Sequence, residues 1–145
     1  MKCLFLKIAV ILGCMSAEAQ QIRTFVPNIV TPRLLHVSKV NSLPILPLRG
    51  GEQLEFSFDD LDTNHERYYY RVEHCDQRFR PTEQLLESSY LQATENTLPI
   101  DRYEPSRNTT ENYNHYSLLL PNADMRMLLP GNYRLSILRE GEDAE

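Results

Sequence analysis

The chain has too few cysteines for any internal cross-link once it is exported. It has three. Cys3 and Cys14 lie in an amino-terminal stretch that reads as an export signal, so Cys75 stands alone and no intramolecular disulfide can form. The domain must be held by its core, with Cys75 as a small buried hydrophobe on a strand. Long apolar runs are also missing. The longest, within Ile8 to Met15, falls far short of the roughly 20 residues that span a bilayer. Positive charge is scarce and scattered: 15 Lys and Arg stand against 20 Asp and Glu, a net charge of −5. An acidic chain without a basic stripe is a poor nucleic-acid ligand. Without a polybasic amphipathic helix, no direct membrane insertion is expected. There is no G-x-S-x-G, no glycine-rich phosphate loop, no pair of carboxylates at catalytic spacing, no internal repeat and no low-complexity tract. An enzyme is not expected, and neither is a cofactor.

The amino terminus has the layout of a secretory signal over residues 1–19. Lys2 and Lys7 form the positive region, Ile8 to Met15 the apolar one, and Ala17-Glu18-Ala19 an A-x-A cleavage pattern before Gln20. The rival reading is a lipoprotein signal, with Ile11-Leu12-Gly13 before an acylated Cys14. Residues 20–33 hold Pro27 and Pro32 and read as an extended lead-in. Residues 34–145 read as one β-domain.

Within that domain the period is two. Leu54, Phe56 and Phe58 alternate with Glu55, Ser57 and Asp59 over a strand at 53–59. Asp59 to Asn64 supplies turn chemistry. Tyr68 to Cys75 resumes as a strand rich in aromatic and β-branched residues, which predicts a β-hairpin or a nearby strand pair. Leu34 to Val40 is a weak first strand. Leu43 to Leu48 carries Pro44 and Pro47, so it is an edge strand or a kinked segment. After Cys75 the chain reads as irregular to about residue 112, with one helical turn at Gln84-Leu85-Leu86-Glu87 capped by Thr82. Tyr113 to Leu120 and 132–139 are the last strands, and turns fall at Pro121 to Asp124 and at Pro130-Gly131-Asn132. The expected fold is an all-β, antiparallel, Ig-like sandwich that lacks its last strand. Its core is Leu54, Phe56, Phe58, Tyr70, Val72, Leu118, Leu120, Tyr133, Leu135 and Ile137.

Few residues invite chemistry. Asp60-x-Asp62-x-Asn64 opens like a calcium loop, but that loop needs glycine at its sixth position and a bidentate Glu at its twelfth. Those positions are His65 and Arg71, so a solvated turn is expected. His36, His65, His74 and His115 have no zinc spacing with one another or with Cys75. His74 and Cys75 are adjacent on a strand and point to opposite faces, so the imidazole cannot activate the thiol. Tyr68-Tyr69-Tyr70 is the candidate contact surface for a partner or a glycan, since tyrosine suits a boundary that is apolar on one side and wet on the other.

The order of these motifs resembles a known family. Gly51-Glu52-Gln53-Leu54-Glu55-Phe56-Ser57-Phe58-Asp59-Asp60-Leu61-Asp62 is similar to the opening of the first domain of type IX secretion system plug proteins. Tyr68-Tyr69-Tyr70, His74-Cys75-Asp76 and Pro81 resemble its next strand. Tyr113-x-His115-Tyr116-Ser117, Leu120-Pro121-Asn122-x-Asp124-Met125 and Gly131-Asn132-Tyr133 continue the likeness in order, over about residues 22 to 140. Phe79 stands where family members often show Trp, and family proteins are several times longer. The resemblance implies a non-enzymatic periplasmic protein of a Gram-negative bacterium whose partner is the outer-membrane translocon barrel. The alternative that the residues leave open is an exported glycan-binding or surface-adhesion module.

Overall fold

A computed structural model describes residues 22–24, 26–39, 41–62 and 64–141. The signal expected at 1–19, the cleavage before Gln20, the acylation site Cys14 and residues 142–145 lie outside the described residues.

Alternation decides the architecture. Phe58 on strand β2 (Leu54–Asp60) and Tyr68 and Tyr70 on strand β3 (Tyr68–Cys75) turn the same kind of apolar face inward. The two strands nevertheless lie in different sheets and meet face to face through these rings. This corrects the hairpin expectation. Strand β2 pairs with β1 (Ile29–His36) and with β7 (Asn114–Leu120), whereas β3 pairs with β5 (Leu98–Pro99) and β9 (Asn132–Arg139). With β6 (Tyr103–Pro105) the first sheet runs β1-β2-β7-β6 and the second β5-β3-β9, every pair antiparallel. A small ladder of β4 (Leu91–Ala93) and β8 (Met125–Met127) stands apart. The fold is an all-β antiparallel sandwich with almost no helix.

Aromatic rings join the two sheets. Phe58 stacks on Tyr116 of β7 at 5.2 Å, and Tyr68 of β3 meets Phe58 and Tyr116 edge-on at 5.0 and 4.9 Å. These geometries suit the ring quadrupole and add to area burial. Leu54, Phe58, Tyr70, Val72, Leu118 and Leu120 are buried as the alternation predicts. Phe56, Tyr133, Leu135 and Ile137 are only half buried, packed against that core. Tyr68, Tyr90, Leu91, Leu98, Ile100, Tyr116 and Met125 complete it.

Three further expectations are corrected. The first strand is Ile29–His36, not 34–40, because Ile29 and Val30 already pair with Asp60 and Asp59. A register shift between Val30 and Arg33, with Thr31 at φ 51°, breaks the alternation that would have revealed it. The stretch after Cys75 is not wholly irregular. It holds α1 (Glu87–Tyr90) and strands β4, β5 and β6, each too short to show a period. Finally, Thr82 caps no helix. Its hydroxyl sits 3.1 Å from His74 Nδ1, while α1 begins after Leu86 with no side-chain cap and is held by the buried Tyr90.

Candidate interaction surface

The acidic turn is anchored at one end by the buried Asp60, while Leu61, Asn64 and His65 are exposed as a solvated turn would be. Asp60 closes β2 on the core side and is fully buried. A buried carboxylate must be satisfied by donors, and three reach it. Asn28 Nδ2 donates at 2.6 Å, the Tyr68 hydroxyl at 2.8 Å and the Asp62 backbone N–H at 2.9 Å. The segment that follows, from Leu61 to Arg67, carries the chain from one sheet to the other. Asn114 Nδ2 donates to the carbonyls of Asp62 and Asn64, and the Tyr116 hydroxyl donates to the Glu66 carbonyl. Arg139 reaches Glu66 at 2.7 Å and Asp62 at 3.5 Å. The hydrogen bond to Glu66 raises the Arg139 pKa further above its ordinary value. The carboxylates of Asp60 and Asp62 and the Asn64 carbonyl, which resemble the start of a calcium loop, therefore serve the crossover. Among the described residues no group of three or more His, Cys, Asp and Glu side chains converges as a metal site.

The other polar constellations do not assemble into a nucleophile and a base. Asp59 bridges Thr31 and His115, whose Nδ1 lies 2.6 Å from Asp59 Oδ1. A carboxylate between hydroxyl and imidazole orients both, but leaves the imidazole unable to take the hydroxyl proton. His74 is held between Thr82 and the Pro130 carbonyl, and Cys75 points its thiol at the Glu73 carbonyl. Burial pushes the Cys75 thiol pKa up, away from a reactive thiolate.

Of the three candidate contact tyrosines, Tyr68 and Tyr70 are buried and Tyr69 alone is half exposed, on the outer face of β3 between Pro99 and Leu138. Strand alternation imposes this, so no platform of three exposed rings exists there. Exposed aliphatic side chains lie elsewhere, among them Leu86, just before α1, and several in the segment between β1 and β2. The base of that segment is closed by the Val37 N–H on the Gln53 carbonyl at 3.0 Å. Glu52 binds Lys39 at 2.6 Å and His36 at 3.0 Å, and these two partners lower its pKa, Lys39 first. Beyond this clamp Leu43 and Ile45 are 73 % and 67 % exposed, and Val37 and Leu48 are exposed too. Pro44 and Pro47 bar the segment from a ladder. Exposed singly, aliphatic residues mean little, but Val37, Leu43, Ile45 and Leu48 lie close together in sequence, which makes their segment the candidate contact. The sequence had shown the prolines and the apolar run, but not which way the side chains face.

Comparison with known proteins fits this architecture. The family profile described as "Type 9 secretion system plug protein 1st domain" matches residues 29–145. The chain belongs to this family. The match begins at the first residue of β1, and membership ties the plug domain to type IX secretion; the family is not one of enzymes. The domain is also similar to a solved structure whose title is "Crystal structure of a hypothetical protein from Parabacteroides merdae ATCC 43184 at 2.30 A resolution". The identity is 32% and the TM-score 0.74, over 79% of this chain and 28% of that one. The plug domain thus spans well under a third of the length of that relative. Among curated proteins none matches the chain.

Proposed function

We propose that this protein is exported to the periplasm and closes the periplasmic opening of the outer-membrane translocon of type IX secretion, without catalysing a reaction. The observation that carries this reading is the family match across the whole sandwich. Residues 1–19 act as a cleaved signal, and Gln20 begins the mature chain. The clamped projection at 43–48 supports the reading from the structure, because it offers Leu43, Ile45 and Leu48 for burial against a partner. We assign it the contact with the translocon barrel, with Tyr69 as a second contact.

The test is co-purification of the tagged chain with the translocon barrel from outer membranes, together with antibiotic uptake through that barrel in cells. Unsubstituted protein is expected to co-purify and to restrict uptake. Leu43→Asp with Ile45→Asp is expected to lose both without lowering thermal stability, since neither side chain is in the core. An unchanged co-purification would remove the projection from the reading. Failure of the unsubstituted protein to bind the barrel or to restrict uptake would remove the plug function. Mass spectrometry of the exported protein checks Gln20, and an acylated Cys14 would overturn the soluble form.

A further inference from the structure

We draw no further inference here: the strongest candidate, the tight loop of residues 76–80 after β3, which holds an exposed Phe79 at φ 57° beside Arg78, carries nothing because nothing in the structure shows what covers it.

Discussion

The hydroxyl of Tyr68 donates to Asp60 Oδ2 at 2.8 Å, joining the last residue of one strand to the first residue of a strand in the other sheet. The bond is buried, and the crossover between the sheets hangs from it. Removing Asp60 by substitution to Ala strips the acceptor from Asn28, Tyr68 and the Asp62 N–H at once. Leaving buried donors unsatisfied costs about 1–3 kcal/mol per group, so a loss of about 3–5 kcal/mol is expected in urea unfolding. Tyr68→Phe removes one donor and is expected to cost about 1–2 kcal/mol. A near-neutral Asp60→Ala would show that these hydrogen bonds contribute nothing.

High pH is expected to destabilise the domain through its buried phenols. Burial, then the Asp60 charge, pushes Tyr116 from its ordinary value of 10.0 up to about 12. Burial and the bond to Asp60 raise Tyr68 as well. A raised folded pKa means the folded state holds its proton where the unfolded chain has released it. The resulting stability is complete below pH 10 and declines as pH rises through about 12, by about 1.4 kcal/mol per unit for each group. Urea midpoints measured across this window should fall steadily, and Tyr116→Phe should flatten the decline.

Truncations of two neighbouring phenylalanines separate buried from half-buried core. Phe58 is 2 % exposed and touches three rings, whereas Phe56 is half buried at the margin. Phe58→Ala is expected to cost about 3–5 kcal/mol, and Phe56→Ala clearly less. The melting temperatures of the two variants check this order, and a reversal would reject the core assignment.

Gly131 has φ 152°, and a Cβ there would lie 2.3 Å from His74 Nε2. The His74 ring cannot swing away freely, being held by Thr82. Gly131→Ala is expected to cost about 1–3 kcal/mol. Part of that cost should vanish in the background of His74→Ala, so a double-mutant cycle should show coupling. Strict additivity would place the strain in the backbone alone.

Cys75 is expected to resist thiol reagents at neutral pH in the folded chain and to react at once in urea. Its burial and raised pKa both suppress the thiolate. Rapid labelling of the folded chain would contradict the buried placement.

The sequence by itself determined the strands whose alternation is unbroken. Tyr68–Cys75 and Asn132–Arg139 fall where the period of two puts them, and of the expected inward set Phe58, Tyr70, Val72, Leu118 and Leu120 enter the core cluster, while Phe56, Tyr133, Leu135 and Ile137 pack at its margin. The order of the motifs sufficed for the family. Which strands pair was left to the tertiary structure. Strand period fixes which face is buried but not against what, so β2 and β3 looked like neighbours in one sheet and proved to face each other from two. Asp60 looked solvated because a turn residue is polar by type. Only the convergence of Asn28, 32 residues away, with Tyr68 and the Asp62 N–H satisfied the buried carboxylate in hydrogen bonds. The tyrosine triplet divided for the same reason: local period assigns sides, and only packing decides which side meets water.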